Sequence, residues 1–182
     1  MVSGTLPSFR ELVQLRALFF DDSFATHRPA DINLNHLHHM NRVRLDLEAV
    51  YKENGHWESE RLIERSKREW KARKKENRAL YIPNQYRLWH MPDAIWTYRE
   101  DDGSDAWTFI EVEVSSKGVK KTTDIMQELG KHGFTWYFAE MDPRKGVYAT
   151  LLEALNTFDE AFKERFYIYD LAVLSKQVYP PQ

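Results

Sequence analysis

The chain has 182 residues, 42% of them hydrophobic, 14% aromatic and 30% charged, which is the composition of one soluble globular domain with a substantial core. It has no apolar run of the roughly 18 residues that a membrane span needs and no secretory signal at its N-terminus, so the sequence predicts a cytoplasmic protein that does not enter a membrane. The absence of cysteine excludes disulfides, thiolate zinc sites and cysteine nucleophiles, and it leaves only oxygen and imidazole ligands for any metal.

The N-terminal part predicts one helix and a connector. Ser8 and Glu11 have the spacing of a capping box, so we expect a helix from Ser8 to about Phe20. The irregular stretch after it ends near residue 35. We therefore divide the chain into residues 1–35, a helix with its connector, and residues 36–182, an α/β domain.

The next segment predicts an amphipathic helix. Asn35 is a possible N-cap, and Gly55 lies just beyond the expected end. Apolar residues recur at spacings of three and four, at Leu37, Met40, Val43, Leu47 and Val50.

A strand at residues 57–64 is predicted to run into a basic helix at about 66–77. Residues 61–78 contain nine lysines and arginines against three acids, a composition that suits a polyanion such as DNA. The alternatives are a solvated helical face and a docking surface for an acidic protein. The residues we expect to contact phosphates are Lys67, Arg68, Lys71, Arg73, Lys74 and Lys75, together with Lys120 and Lys121 further along the chain.

A hairpin is predicted around the turn sequence EDDGSD at residues 100–105. Its first strand covers residues 93–98 and its second residues 106–115. The second strand alternates, with Ala106, Thr108, Ile110, Val112 and Val114 on one face and Trp107, Phe109, Glu111 and Glu113 on the other. The aliphatic face is therefore expected to be buried, with the two glutamates turned the other way.

The remaining chain predicts a helix at 119–132 that is stopped by Gly133, a strand at 134–141, a helix at 146–163 and a strand at 166–174. Interleaved helices and strands of this kind predict an α/β fold with a mixed central sheet flanked by helices.

The hairpin also predicts a metal site. Aligning its strands about the turn brings Asp93 to the same end as Glu111 or Glu113, close enough to share a divalent ion. Mg²⁺ (or Mn²⁺) takes hard oxygen ligands, and Lys117 could orient an attacking water or neutralise developing charge. The alternative is an ordinary strand with acids on its solvent-facing side.

Several short motifs in order resemble the PD-(D/E)xK nuclease fold, and more closely the replication-relaxation family of plasmids and mobile elements. They are HLHHMNRVRLDL at 36–47, WESE at 57–60, MPDA at 91–94 and FIEVEVSSK at 109–117. Each motif is short, and the ordered set covers about residues 36–140. The resemblance implies a DNA-binding protein in plasmid or phage replication, relaxation or transfer, with other replication or transfer proteins as partners.

Residue by residue, the resemblance implies Asp93 and Glu111 as metal ligands, with Glu48 or Glu60 as a further acid. Glu113 stands where active E-x-K enzymes have lysine, so the basic role passes to Lys117, Lys120 or Lys121. The alternative is a catalytically inactive module that binds DNA or a partner protein. The family usually has a winged-helix domain ahead of this region. The chain is too short for one, which implies a fragment or a stand-alone version.

Other functional classes find less support. His36, His38 and His39, with Asp46 or Glu48, have zinc-ligand chemistry, but their spacing spreads the imidazoles over different faces of a helix. The sequence contains neither a glycine-rich phosphate loop nor a nucleophile elbow. Five tryptophans could stack on bases but are expected to pack in the core: Trp70, Trp89, Trp96, Trp107 and Trp136.

Overall fold

The computed structural model describes residues 34–51, 55–76, 87–100 and 102–176. The chain divides into two units, Met1–Asn33 and Leu34–Gln182, and all the described residues belong to the second. The predicted helix at 8–20 lies outside the described residues. The elements are α1 (Leu34–Tyr51), β1 (Gly55–Ser59), α2 (Glu60–Glu76), β2 (Ala94–Arg99), β3 (Asp105–Glu113), α3 (Val119–His132), β4 (Thr135–Ala139), α4 (Val147–Leu155), α5 (Glu160–Lys163) and β5 (Phe166–Asp170), with 3₁₀ turns at Pro143–Lys145 and Leu171–Lys176.

The five strands form one mixed sheet in the order in which they follow along the chain. β1, β2 and β3 are antiparallel neighbours, and Ala94 pairs with Ile110 across the β2–β3 hairpin. β3, β4 and β5 are parallel, with Glu111 paired to Tyr137. Because parallel neighbours need a crossover, α3 joins β3 to β4, and α4 with α5 joins β4 to β5.

Both faces of the sheet are buried. On one face Trp96 and Trp136, both fully buried, pack with Val43 and Leu47 of α1 and with Leu171 of the C-terminal 3₁₀ turn. The other face packs against α2, α3 and α4. Its described core residues include Ile63, Phe109, Ile125, Leu129 and Tyr137. This helix–sheet–helix arrangement confirms the predicted mixed sheet flanked by helices.

Several boundaries differ from the predicted ones. The predicted strand at 57–64 covers Gly55–Ser59, and α2 begins at Glu60 and not near Ser66. The Glu60 amide donates to the Asp93 carbonyl (3.0 Å), so the helix starts where the β1–β2 pairing ends. The predicted helix at 146–163 is two helices. The Asp159 carboxylate accepts from the Phe162 amide and starts the second one.

The last predicted strand ends early, at Asp170. Its carboxylate accepts from the Ala172 amide, and a 3₁₀ turn follows. In α1, Asn35 lies inside the helix and does not cap it. Leu37 and Val50, predicted to face the core, are 41% and 49% exposed. Among the described residues, no helix combines the length and the apolar character needed to cross a membrane.

Candidate functional site

The predicted acidic residues meet at one end of the β2–β3 hairpin. Asp93 directly precedes β2, and its Oδ2 accepts a hydrogen bond from the Val112 amide at 2.7 Å. Val112 lies between Glu111 and Glu113 in β3, and the register that pairs Ala94 with Ile110 sets Asp93 opposite Glu111. Since side chains alternate along a strand, both glutamates and Asp93 project from the same side of the sheet. We call these three residues, with Lys117, the carboxylate cluster.

Two of the three carboxylates lie inside the molecule, and Asp93 is half-buried. Glu111 is 1% exposed and Glu113 5% exposed, because α2 and α3 cover this side of the sheet. Burial raises the pKa of both carboxyls, that of Glu113 to about 7. The alternative of a strand with its acids on a solvent-facing side is therefore wrong. Buried acids with perturbed pKa values are typical of functional sites.

Lys117 contacts both glutamates. Its Nζ donates to Glu113 Oε1 at 2.6 Å and lies 3.6 Å from Glu111 Oε2. Burial lowers the pKa of Lys117, but the charges of Glu111 and Glu113 outweigh burial, and the pKa lies above its usual value. The ammonium thus reaches the acids from the loop after β3.

His36 joins the cluster from the first turn of α1. Its Nε2 lies 3.1 Å from Asp93 Oδ2 and 3.0 Å from the Val112 carbonyl oxygen. Both partners accept hydrogen bonds, so Nε2 carries a proton and donates. The hydrogen bond to Asp93 raises the pKa of His36 despite its burial. The sequence pattern indicated a zinc cluster or hydrogen bonding at a helix start for His36. No local pattern in the sequence pairs this residue with Asp93.

His90 is a second histidine that sequence reasoning missed. Its Nε2 lies 2.9 Å from Glu111 Oε1, and its side chain is only 20% exposed. The one available signal was its place three residues before Asp93, in the sequence HMPD. Donors of this kind orient carboxylates around metal sites in many proteins.

Glu60 and Glu48, the two candidates for a further acid, occupy different places. Glu60 lies beside the cluster, because its amide donates to the Asp93 carbonyl. Burial, followed by the charge of Asp93, raises the pKa of its carboxyl. Glu48 pairs with Arg44 at 2.7 Å, twelve residues and about 18 Å further along α1 than His36. The structure therefore brings Glu60 to the cluster and leaves Glu48 away from it.

Tyr137 adds a phenol hydroxyl near the carboxylates of the cluster. The residue is fully buried and pairs with Glu111 across β3 and β4. Burial, and then the charges of Glu111 and Glu113, raise the pKa of its phenol well above the usual value. Its hydroxyl has no hydrogen-bond partner among the described residues. Such a hydroxyl can donate to a ligand that enters the cluster.

The donor set fits a divalent cation that prefers oxygen. Asp93 and Glu111 supply two carboxylates, the number that Mg²⁺ commonly takes from a protein. In the part of the chain that the structure describes, no group of three or more His, Asp or Glu side chains is arranged to hold a metal ion. The zinc alternative gains no support, since His36 contacts Asp93 while the rings of His38 and His39 contact each other.

The basic residues of α2 extend away from the cluster, since this helix begins beside Asp93. Lys71 is exposed and lies about 16 Å along the helix from Glu60. Arg73, also exposed, has its guanidinium 5.9 Å from the Trp70 ring. Arg68 Nε donates to the Glu64 carbonyl at 3.3 Å. The side chains of the predicted Lys74 and Lys75 lie outside the described residues.

Two further basic positions follow Lys117 along the chain. Lys120 and Lys121 are exposed in the first turn of α3, three and four residues after Lys117. Lys67 has a different role, because its Nζ donates to the Leu88 carbonyl at 2.7 Å and holds the segment before Asp93.

Comparison of the chain with protein-family models, with curated proteins and with solved structures found no match.

The raised pKa of Glu113 predicts how stability depends on pH. Its folded-state pKa of about 7 exceeds the ordinary 4.5, so the folded protein binds more protons than the unfolded chain between these values. The free energy of unfolding should therefore fall as the pH rises from 4.5 through 7, by about 3 kcal/mol from this group. Glu113→Gln should lack this component, as measured by urea unfolding between pH 4.5 and 8.5.

Glu153→Gln, at an exposed glutamate of α4, is the matched control and should follow the wild-type curve. The pKa of His36 is raised as well, so His36 also makes the free energy of unfolding fall as the pH rises. Both variants keep this His36 component. Parallel curves for wild type and Glu113→Gln would contradict a protonated Glu113 in the folded protein.

Proposed function

We propose that the chain is a Mg²⁺- or Mn²⁺-dependent endodeoxyribonuclease of the PD-(D/E)xK type. The observation that supports this function best is the burial of Glu111 and Glu113, with half-buried Asp93 opposite Glu111 and the Lys117 ammonium held against the two glutamates. Burying charge costs free energy, and a buried ion pair is weak evidence of a stabilising role. A cluster of this kind is therefore better explained by chemistry than by stability.

Asp93 and Glu111 would hold the metal, Glu113 would add a ligand, and Glu60 is a further acid beside the cluster. When bound, the ion polarises the phosphodiester and lowers the pKa of an attacking water. His36 and His90 hold the carboxylates of Asp93 and Glu111 in place through their Nε2 protons.

Lys117 has two roles in this scheme. In the absence of substrate it compensates the negative charge of Glu111 and Glu113. During cleavage its ammonium orients the attacking water or neutralises the charge that develops on the phosphate. A flexible ammonium suits these roles because it has three donors and no acceptor.

DNA would bind across the cluster. Exposed cations lie further along α2, at Lys71 and Arg73, and in the first turn of α3, at Lys120 and Lys121. Phosphates contacting these groups release counterions, so affinity should fall steeply with salt, by about one log unit per log of salt for each contact. The resemblance of the sequence motifs supports a role in plasmid or phage replication, relaxation or transfer, alongside other replication or transfer proteins.

The competing function is a catalytically inactive module that binds DNA or a partner protein. Glu113 at the E-x-K position favours it, and Lys117 at the carboxylates favours the enzyme. The test is incubation of the full chain with labelled single-stranded, duplex and branched DNA, with Mg²⁺, Mn²⁺ or EDTA. The enzyme should cleave at least one substrate only with metal.

Binding of the same three substrates, measured by anisotropy in EDTA, separates the outcomes. Binding without cleavage under either metal would reject the enzyme and favour the inactive module. Neither binding nor cleavage would reject both DNA functions and favour docking of the basic helix on an acidic protein.

A further inference from the structure

Trp89 is the most exposed of the described tryptophans, with 64% of its surface in solvent. Trp96 and Trp136 are fully buried, as predicted for core residues, whereas the same prediction for Trp89 is wrong. A single exposed aromatic residue needs no explanation by itself. Trp89 differs from such a residue in how its backbone is held and in what lies next to its ring.

The segment around Trp89 is fixed on three sides. Leu88 is buried, and its carbonyl accepts from Lys67 of α2. The Trp89 amide donates to Glu128 Oε1 of α3 at 3.0 Å. The next residue, His90, contacts Glu111 of β3. The backbone on both sides of the indole is therefore anchored, and binding through this ring costs little ordering of the chain.

The indole also adjoins the carboxylate cluster. Its ring lies 5.8 Å from the His90 ring, centroid to centroid, and His90 Nε2 lies 2.9 Å from Glu111 Oε1. One imidazole thus separates the exposed indole from a carboxylate of the cluster. A phosphate at the cluster would place the adjoining nucleotide within reach of Trp89.

We propose that Trp89 stacks on an unpaired nucleobase next to the phosphate that lies at the carboxylate cluster. The substrate would then be DNA that is single-stranded, or unpaired, at the cleaved position. This inference depends on the proposed DNA-cleaving function. In a duplex both faces of each base are already covered by its neighbours, so only an unpaired base offers a face to the indole. Stacking of this kind tolerates any sequence, because every base has a π face.

The test compares binding of a labelled single-stranded oligonucleotide and a blunt duplex by anisotropy in EDTA. Trp89→Ala should weaken single-strand binding by about 10- to 100-fold, the range found for loss of one base–aromatic stack, and change duplex binding by less than about twofold. Trp89→Phe should keep most of the affinity, because it keeps a ring. It should also lose the part of the fluorescence quenching that the stacked indole gives on binding single strands.

Phe134→Ala is the matched control. Phe134 is an exposed aromatic residue, 38% in solvent, at the opposite end of β4 from the cluster, and its loss should leave both affinities unchanged. Thermal melting checks that each variant is folded.

The outcomes separate the inference from the function on which it depends. Equal single-strand binding by wild type and Trp89→Ala would overturn the stacking role alone. If Trp89→Ala loses affinity for the single strand and the duplex equally, the stacking role is also overturned. Trp89 would then be part of a surface that contacts both DNA forms. If wild type binds neither DNA form, the proposed function falls, and the stacking role falls with it.

Discussion

Asp93→Asn is expected to lower metal-dependent DNA cleavage by about a thousandfold and to leave DNA binding unchanged. The substitution removes one of the two carboxylate charges proposed to hold the cation, and metal catalysis of this kind supplies several kcal/mol of transition-state stabilisation. The cations proposed to contact DNA lie on α2 and α3 and are not altered. Cleavage rates under saturating enzyme, with anisotropy of the same DNA in EDTA, measure the two effects separately.

Asparagine is the suitable replacement because its side-chain oxygen can still accept from the Val112 amide, which holds this end of the hairpin. Asp124→Asn, at an exposed aspartate of α3, is the control and should cleave at the wild-type rate. Cleavage by Asp93→Asn at the wild-type rate would remove Asp93 from the mechanism. Loss of DNA binding as well would point to a structural role.

Lys117→Met is expected to separate metal binding from cleavage. The ammonium contacts Glu113 and approaches Glu111, and a divalent cation on these acids would be repelled by it. Its removal should tighten Mn²⁺ binding at pH 8 by about tenfold, equivalent to about 1.4 kcal/mol. Cleavage should fall by about a hundredfold or more, since a preorganised charge is missing in the transition state. Calorimetric titration and cleavage assays measure the two quantities.

Lys120→Met serves as the control, because Lys120 is exposed on the next helix. It should leave Mn²⁺ affinity unchanged and weaken DNA binding only modestly. If Lys117→Met cleaves as fast as wild type while Lys120→Met does not, the basic role belongs to Lys120. If neither lysine matters and wild type still cleaves, the proposed role of lysine in this site is wrong.

Local sequence signals predicted much of the fold. α3 was expected at 119–132 and occupies those residues, because Gly118 and Gly133 bound an amphipathic segment on both sides. The alternation in β3 and the turn before it define the hairpin, and the hairpin alone is enough to place Asp93 beside Glu111. Lys117 could also be predicted as a partner of the glutamates, because it lies only four residues after Glu113.

Contacts between distant segments could not be predicted from one sequence. His36 and Asp93 are 57 residues apart, and no local pattern links them. Glu111 is buried because α2 and α3 cover its face of the sheet. The alternation of residues in β3 predicted only that this face is opposite the aliphatic one, and it could not predict the helices that cover it. Periodicity also failed between residues 146 and 163, since the break before Asp159 has neither proline nor glycine to mark it.

The central claim is that Asp93 and Glu111 together hold a divalent cation. A crystal structure of the protein soaked in Mn²⁺, with anomalous data, tests it most directly. We expect an anomalous peak between these two carboxylates in wild type and none at that position in Asp93→Asn. Wild-type crystals with no Mn²⁺ at these carboxylates, and with His36, His90 and Lys117 still contacting them, would contradict the claim.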